Sequence, residues 1–425
     1  MRTIIYPEKT SWPGLCCRPG TVGRNIGATV KRILKDVKIS GDAALFKYTL
    51  QYDRAELKEL KVPEGEIKGS ANRISPEMKK AINTAIGNIK KFHGSQLHDE
   101  EVVETMPGVK CMRKSVPIEK AGLYIPGGSA PLFSTVLMLG IPAKIAGCSQ
   151  IIMCTPPDSK GSVNPLILYT AYITGISDIY QIGGAQAIAA LAYGTETIPA
   201  VNKIFGPGNQ YVTKAKEMVQ AEGVAIDLPA GPSEVLVIAD DQADPEFVAA
   251  DLLSQAEHGT DSQVVLLTDS RKIISEVKNE IGKQLNSLPR RDITAKALVK
   301  SMMILFPNLE ACIAFSNEYA PEHLIINTGN AGELALEVVN AGSVFVGRYS
   351  CESAGDYASG TNHTLPTNGY AKCYSGVSVD SFMKKITFQE LTAEGIRNIG
   401  PAVELMADAE RLTGHANAVK VRMKK

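Results

Sequence analysis

The sequence has no excess of charge of either sign and no long apolar run. Its 45 lysines and arginines equal its 45 aspartates and glutamates, so charge gives no argument for binding nucleic acid or an anionic membrane. No apolar stretch approaches the ~18 residues of a membrane-spanning helix, and MRTIIYPEKTSW lacks the apolar core of a secretory signal. We therefore expect a soluble, cytoplasmic protein with no nucleic-acid or membrane partner.

Paired cysteines are also missing. The eight cysteines include no C-x-x-C pair, which argues against a thiolate zinc site and against a disulfide framework. Cys148 and Cys154 lie in the largely apolar stretch GCSQIIMC. Free core thiols in a reducing compartment are the expectation.

The alternation of strand and helix patterns predicts the fold class. A chain of 425 residues is too long for one ordinary core. Its first hundred residues are predicted to be helix-rich, with Ser75 and Pro76 starting one helix. From about residue 122, short β-branched runs alternate with helical stretches, which is typical of parallel sheets built from βαβ units. The alternation restarts after PAGP at 229–232, so two α/β lobes are expected, followed by an amphipathic helical arm from about residue 378.

The stretch DLLSQAEHGTDSQVVLL at 251–267 contains one of only six histidines. Asp244 and Pro245 predict the start of its helix, and Gly259 fits the position after its end. Gln255 and His258 then lie three residues apart on one face of the last turn. A histidine at a helix end is often a favourable cation near the negative end of the dipole, and glutamine is an uncommon zinc ligand. This segment alone favours a structural role over metal binding.

Three further segments contain acid and imidazole groups. Glu322 and His323 directly precede an apolar strand, where they could share proton-transfer work or form a solvated turn. The glycine-rich segment SAGDYASGTNHTLPT at 353–367 has no regular period and contains Asp356 and His363, which could bind metal or substrate. An Asx turn would explain Asp356 equally well. His415 follows a predicted helix break at Gly414, where a lone histidine is usually structural.

Glycine-rich turns give a moderate nucleotide signal. YIPGGSAP, IGGAQA and FGPGN each place glycines in a turn, and the last two are framed by a strand and a helix. Such turns expose backbone N–H groups that suit a pyrophosphate. None is the full G-x-G-x-x-G fingerprint, and there is no Walker A sequence. Asp227 follows Gly206 at the distance expected of a ribose-binding acid. Glycines at βα turns are common for geometric reasons alone.

Taken together and in order, these segments resemble histidinol dehydrogenase. The resemblance covers about residue 20 to the C-terminus, through LLSQAEHGTDSQ, YAPEHL, GDYASGTNHTLPT and HANAV, preceded by YIPGGSAPLFSTVLM and FGPGNQYVTKAK. It implies two Rossmann-like lobes and an NAD-dependent alcohol and aldehyde dehydrogenase of histidine biosynthesis. The enzyme would oxidise L-histidinol to L-histidine through bound L-histidinaldehyde, in a four-electron reaction that uses NAD⁺ and one zinc ion per active site.

Residue roles and domain bounds follow from the same resemblance. It implies that the zinc ligands are Gln255, His258, Asp356 and His415, which also contact substrate together with His323. The catalytic acid–base pair would be Glu322 and His323. Further substrate contacts would be Ser233, His363 and Glu410, and dinucleotide contacts Tyr124, Gln186 and Asn209. The implied domains are an N-terminal segment (1–20), a zinc and catalytic lobe (21–122 plus 233–377), a dinucleotide lobe (123–232) and the C-terminal arm (378–425).

The resemblance also implies an intertwined homodimer. The arm of one subunit would complete the site of the other, so Glu410 and His415 would act in the partner's site. Two alternatives come from a different class of function. A zinc hydrolase would need the same ligands but no dinucleotide, and a binding protein without catalysis would not need Glu322 and His323.

Overall fold

The computed structural model describes residues 1–18, 26–97, 99–127, 130–229 and 231–424. Part of the YIPGGSAP turn and the predicted boundary near residue 20 lie outside these ranges. The strands are β1 (Arg2–Ile5), β2 (Val102–Met106), β3 (Val109–Pro117), β4 (Lys120–Tyr124), β5 (Gln150–Cys154), β6 (Asp178–Tyr180), β7 (Lys203–Phe205), β8 (Ala225–Ile226), β9 (Glu234–Ala239), β10 (Gln263–Thr268), β11 (Met302–Leu305), β12 (His323–Asn327), β13 (Ser343–Val346) and β14 (Met383–Leu391).

Helices connect these strands and cover both parallel sheets. They are α1 (Trp12–Cys16), α2 (Ile26–Tyr52), α3 (Glu64–Gly69), α4 (Pro76–Gly94), α5 (Phe133–Ala146), α6 (Pro165–Ile173), α7 (Gly184–Tyr193), α8 (Gln210–Ala221), α9 (Pro245–Ala256), α10 (Arg271–Leu285), α11 (Arg291–Val299), α12 (Leu309–Tyr319), α13 (Ala331–Ala335), α14 (Glu352–Tyr357), α15 (Ala393–Ala409) and α16 (Thr413–Met423). Among the described helices, none has the length and apolar character needed to cross a membrane.

The predicted α/β class with parallel sheets is confirmed. A five-stranded parallel sheet has the order β6-β5-β4-β7-β8, and a six-stranded parallel sheet has the order β1-β11-β10-β9-β12-β13. In both sheets the first strand of the βαβ series is central and the chain then reverses direction across the sheet. This is the Rossmann-like arrangement, with a topological switch point beside β4 in one lobe and beside β9 in the other.

Local sequence explains these elements. Strands β9 and β10 are buried along their whole length, which is typical of a central parallel strand covered on both faces. Ser75 caps α4 by accepting from the Met78 N–H, and Asp244 caps α9 by accepting from the Glu246 N–H, as predicted. Helix α9, however, ends at Ala256 with Glu257 as its cap, so the predicted role of Gly259 after the helix end is wrong.

The packing of helices α2 and α4 differs from the predicted domain division. Helix α2 packs against α7 and α8, and α4 packs against α5, so both belong to the lobe of the five-stranded sheet. The division predicted from the resemblance assigned them to the other lobe. Residues 1–18 do not form a separate segment, because β1 pairs with β11 and Trp12 packs into the core of the six-stranded sheet. Amphipathic patterns show that a helix buries one face but not which sheet it covers.

The C-terminal arm is partly a strand. β14 pairs antiparallel with β3, which also pairs with β2, and this small sheet is largely exposed. Helices α15 and α16 follow and pack mainly on each other. The break between them lies at 410–412, where Arg411 has a φ of 60°, and Gly414 falls inside α16. The predicted break at Gly414 is therefore wrong.

All eight cysteines are free. Cys148, Cys154 and Cys312 are buried among apolar side chains, and burial raises the pKa of Cys148 to about 11. The expectation of core thiols without a disulfide framework agrees with this arrangement.

Candidate active site

A cavity of about 730 Å³ lies between the two lobes. One wall is the turn Gly206–Asn209, which follows β7 at the carboxyl edge of the five-stranded sheet. The opposite wall contains Ser233 and Glu322, which precede β9 and β12 at the amino edge of the six-stranded sheet. The cavity therefore joins the carboxyl edge of one sheet to the amino edge of the other. Its volume is typical of a site for a small molecule or cofactor.

Helix α9 brings Gln255 and His258 to this amino edge. It is the crossover after β9 and runs opposite to the strands, so its C-terminal end lies where the strands begin. Gln255 is buried in the last turn, and His258 lies just beyond the helix end on the cavity wall. The Ser233 hydroxyl is 3.4 Å from Nδ1 of His258. These residues thus lie together, as the resemblance implies.

The backbone of Glu234 holds the predicted acid–base pair. Its N–H donates to Oε2 of Glu322 at 2.8 Å, and its carbonyl accepts from Nδ1 of His323 at 3.0 Å. The side-chain amide of Gln255 donates to the same carbonyl and to Glu322, each at 3.3 Å. The fixed Nδ1 leaves Nε2 of His323 as the ring atom available for chemistry.

Glu234 is itself anchored by a buried ion pair. Arg18 donates to both oxygens of its carboxylate, at 2.9 and 2.8 Å, and the Asn368 N–H donates to Oε1 at 2.8 Å. The Arg18 guanidinium lies 3.5 Å from the centroid of the Tyr319 ring. A bidentate pair of this kind fixes both partners in one geometry. Sequence reasoning missed Arg18 and Glu234, because an isolated arginine and the first residue of a strand have no distinguishing pattern.

Asp356 lies on a short helix, not in the irregular loop predicted from the sequence. Helix α14 places Glu352 and Asp356 four residues apart and therefore on the same face. A Cβ at Gly355 would come within 2.6 Å of the Phe345 ring, so glycine allows α14 to approach β13 closely. Oδ1 of Asp356 is 3.4 Å from Nε2 of His323. Sequence reasoning missed Glu352, although its spacing from Asp356 was a usable signal.

His363 connects the site to the other lobe. Its Nδ1 is 2.9 Å from the carbonyl oxygen of Asp356, and its Nε2 is 3.2 Å from the hydroxyl of Thr135 on α5. An Nδ1–H that donates to the carbonyl leaves Nε2 to accept from the threonine. His363 also lines the cavity, and its contact with substrate stays a prediction.

Burial and mutual charge shift the pKa values of this cluster. Burial raises the pKa of Glu322, and it raises that of Glu352 to about 8. Burial alone would lower the pKa of His323, but Glu322, Asp356 and Glu352 together raise it well above its ordinary value. Burial would raise the pKa of Asp356, but its bond to His323 and the surrounding imidazoles hold it below its ordinary value. Three carboxyl groups around one imidazole form a site that favours positive charge.

Desolvation dominates at the other two histidines. Burial in the cluster lowers the pKa values of His258 and His363, and the charge of Asp356 opposes the shift in both cases. Both imidazoles therefore tend towards the neutral form, which is the form that binds a metal ion.

Oε1 of Gln255 and Oε2 of Glu352 are buried and have no hydrogen-bond partner within the described ranges, and Nε2 of His323 and Oδ1 of Asp356 have only their 3.4 Å contact with each other. Buried polar atoms are normally satisfied, so a group of orphans at one point indicates a missing partner. The ligand atoms of His258, Glu352 and Asp356 all lie within 4.8 Å of one another. Imidazole nitrogen and carboxylate or amide oxygen suit a borderline divalent cation such as Zn²⁺.

The turn after β7 has the features of a phosphate-binding turn. The Asn209 side chain caps α8 by accepting from the Tyr211 and Val212 N–H groups, and Asn209 lines the cavity. Gly206 has a φ of 121°, and a Cβ there would overlap the carbonyl oxygen of Tyr124. Only glycine fits this close approach, and the turn lies at the start of a helix that faces the cavity.

The other predicted dinucleotide contacts lie elsewhere in the five-stranded lobe. Tyr124 ends β4 and its hydroxyl accepts from the Gly184 N–H at 3.1 Å, while Gln186 is buried in the first turn of α7. Neither residue lines the cavity described above. Asp227 is not free to bind a ribose, because its carboxylate accepts from Lys216 and from the N–H groups of Gly206 and Leu228.

Glu410 and His415 are not brought to the site of their own chain. Both lie on the exposed arm, and in the described part of the chain neither side chain makes a hydrogen bond or an ion pair. The metal-ligand cluster of the six-stranded lobe does not include His415. The predicted roles of Glu410 and His415 in the site are therefore not met within one chain.

Comparison with known proteins gives one result. The family model described as histidinol dehydrogenase matches residues 17–423. The chain is 56% identical over 423 residues to the histidinol dehydrogenase of Bacteroides fragilis, covering 100% of this chain and 99% of that protein. It is 50% identical over 430 residues to that of Vibrio parahaemolyticus, with the same coverage. The crystal structure of histidinol dehydrogenase from Elizabethkingia anophelis matches with a TM-score of 0.98 and 56% identity, over 100% of this chain and 98% of that one.

Proposed function

The chain belongs to the histidinol dehydrogenase family, and from this premise we propose how its own residues oxidise L-histidinol to L-histidine. As a member of this family it is an oxidoreductase of histidine biosynthesis that acts on a small molecule. The zinc ion, the NAD⁺, the residue roles and the shared dimer site are the parts that we propose. The observation that supports them is the cluster of buried ligand atoms around the histidine–carboxylate pair, next to His258, Glu322 and His363, which line the cavity between the lobes.

We propose that Gln255, His258 and Asp356 hold the metal from one chain and His415 from the other. Oε1 of Gln255 is a buried acceptor without a donor, Oδ1 of Asp356 has only its 3.4 Å contact with His323, and the pKa of His258 is shifted towards the neutral ring. Bound zinc would hold and orient the imidazole and amine of histidinol, and NAD⁺ would accept the hydrides. The positive charge of the metal would also offset the negative charge of the carboxyl groups around His323. The pKa of His323 would then fall, so that its Nε2 could be unprotonated at neutral pH and act as a base.

The acid–base work is assigned to His323 and Glu322. Because Nδ1 of His323 is held by the Glu234 carbonyl, Nε2 can take the hydroxyl proton of the substrate in the first oxidation. Glu322 is buried with a raised pKa and can activate the water that hydrates the aldehyde. His323 then acts again in the second oxidation. Keeping the aldehyde in a closed cleft protects it from competing reactions.

We propose that substrate and dinucleotide bind against opposite walls of the cavity. Ser233 and His363 line it on the side of the metal ligands, where they can contact histidinol. Asn209 and the Gly206 turn line it on the side of the five-stranded sheet and suit the pyrophosphate. The Tyr124 backbone packs against Gly206 of this turn, and the proposed contacts of Tyr124 and Gln186 with the dinucleotide require it to extend beyond this cavity.

A homodimer with exchanged arms explains the exposed surface. Phe388 on β14, Val102 and Val103 on β2, and Leu405 and Met406 on α15 are exposed, with Leu405 at 75%. Apolar surface of this kind marks an interaction surface. Pairing two arms would bury these side chains and would carry Glu410 and His415 to the partner's site. We also place the enzyme in the cytoplasm, which the free cysteines favour.

The experiment that tests this function is the stoichiometry of NADH formation. L-Histidinol is supplied in limiting amount with NAD⁺ in excess, before and after removal of the metal by a chelator. We expect about two NADH per histidinol, as the balance of a four-electron oxidation requires, with loss on chelation and recovery on adding zinc. One NADH per histidinol would show that the reaction stops at the aldehyde. No NADH from folded, zinc-loaded protein would refute the proposed reaction.

A further inference from the structure

Glu352 has the most unexplained position in the six-stranded lobe. It is the first residue of α14 and is only 1% exposed. Its Oε2 has no hydrogen-bond partner, and no lysine or arginine in the described ranges forms an ion pair with it. The acid–base and ligand roles described above make no use of this carboxylate.

The position of Glu352 is that of a metal ligand. One of its oxygens, one oxygen of Asp356 and a ring nitrogen of His258 all lie within 4.8 Å of one another. Ligand atoms about 2.0–2.2 Å from a shared zinc ion are separated by roughly twice that distance at most, so small side-chain adjustments bring these three atoms to one cation. The four-residue spacing on α14 directs Glu352 and Asp356 to the same side.

Burial makes a structural role for an uncompensated Glu352 carboxylate costly. A buried carboxylate without a partner is strongly unfavourable, and such groups in proteins are paired, protonated or bound to metal. The charge of His323 lowers this cost, but its Nδ1 is engaged by the Glu234 carbonyl and its Nε2 lies 3.4 Å from Oδ1 of Asp356. A divalent cation held by Glu352 and Asp356 would compensate the charge of both carboxylates.

We propose that Glu352 is an additional ligand of the divalent metal ion, and that with Gln255, His258 and Asp356 it forms a four-ligand set within one chain. This inference rests on the proposed metal site and extends it. The chain can then hold its metal before the partner's His415 is in place or substrate is bound. On binding, His415 and substrate compete with Glu352 for positions around the ion.

The test is the metal affinity of the free enzyme, measured by competition with a chromophoric chelator. The variants are Glu352→Gln and, as the matched control, Glu257→Gln, which removes an acid beside His258 that is not in the cluster. We expect Glu352→Gln to bind Zn²⁺ about 10–100-fold more weakly than the unmodified enzyme, the range typical of substitutions around metal sites. Glu257→Gln should bind Zn²⁺ as tightly as the unmodified enzyme. The visible absorption of the Co²⁺-loaded enzyme should change in Glu352→Gln only.

Folding and the wider proposal are controlled separately. Circular dichroism and subunit size establish that Glu352→Gln is folded, and Glu352→Asp, which keeps the charge, replaces it if it is not. Unchanged Zn²⁺ affinity and an unchanged Co²⁺ spectrum in a folded variant would overturn the role of Glu352. If the unmodified enzyme itself binds no stoichiometric zinc, the metal part of the proposed function fails instead.

Discussion

The substitution Lys216→Met tests whether a buried ion pair stabilises the turn Gly206–Asn209, which lines the cavity in the five-stranded lobe. Lys216 lies on α8 with its side chain buried, and its ammonium group contacts the equally buried carboxylate of Asp227. It also donates to the carbonyl of Gly206 at 2.9 Å. Asp227 in turn accepts from the Gly206 and Leu228 N–H groups, at 2.7 Å each. The pair therefore ties α8 to the turn that faces the cavity.

The expected magnitude follows from these contacts. Removing one partner of a buried ion pair typically costs about 3–5 kcal/mol, because the other charge stays buried without compensation. Asp227 keeps two backbone donors, which offset part of this loss, so we expect the free energy of unfolding to fall by roughly 2–4 kcal/mol. Adding Asp227→Asn to Lys216→Met should restore part of the stability, since no buried charge then remains.

Lys214→Met is the matched control on the same helix. Lys214 pairs with Glu217 at 2.8 Å, but both side chains are exposed, so its loss should cost less than about 1 kcal/mol. Urea unfolding followed by circular dichroism gives the comparison. The fluorescence of Trp12, the single tryptophan, reports on the other lobe. Equal midpoints for the two variants by circular dichroism would refute the reasoning.

The same variant has a predicted kinetic effect. If the Gly206 turn binds the dinucleotide, Lys216→Met should raise the KM for NAD⁺ about tenfold, equivalent to about 1.4 kcal/mol of binding energy. The KM for histidinol should stay the same, because the metal ligands belong to the other lobe.

Three further predictions concern the site and the surrounding fold. His323→Asn should lower kcat by about 10²–10⁴-fold with unchanged zinc content, since it removes a proton acceptor and no proposed ligand; normal turnover would exclude His323 as the base. Mixed chains carrying His323→Asn and His415→Asn should regain activity after subunit exchange, and proven exchange without recovery would exclude a shared site. Burial raises the pKa of Asp53 to about 6 in the folded state. Between about pH 4 and 6 the unfolded state has therefore lost this proton while the folded state still binds it, so the free energy of unfolding falls as the pH rises through this range. Asp53→Asn should add about 1 kcal/mol at pH 7, allowing for partial exposure, and nothing at pH 3.5; an equal gain at both values would exclude the carboxylate as the cause.

The cavity lies at opposite ends of the strands in the two sheets. At the five-stranded sheet the cavity lies at the carboxyl ends of the strands, which is usual for ligand sites in open α/β sheets. At the six-stranded sheet it lies at the amino ends, where Glu322 directly precedes β12, His323 is the first residue of β12, and α9 ends. One lobe thus presents the start of a helix, which suits the proposed anionic cofactor, and the other presents the proposed metal ligands and the proposed acid–base pair.

The sequence determined the elements and the family. Buried runs such as residues 234–239 and 263–268 indicate parallel strands by composition alone, and Ser75 and Asp244 start helices through contacts within three residues. These signals are local, so they do not depend on which sheet a segment joins. The order of the quoted motifs along the chain indicates the family without any knowledge of the geometry.

The tertiary structure decided which residues meet. Gln255, Glu322 and Asp356 lie far apart along the chain, and they converge because β9 and β12 are neighbours and α9 returns to the start of both strands. The periodicity of the sequence does not predict which strands are neighbours in a sheet. The same limit applies to α2, whose apolar face fits either sheet, to Arg18, whose partner is more than two hundred residues away, and to Glu352. Contacts between distant segments depend on strand order and helix direction, and only the folded chain fixes those.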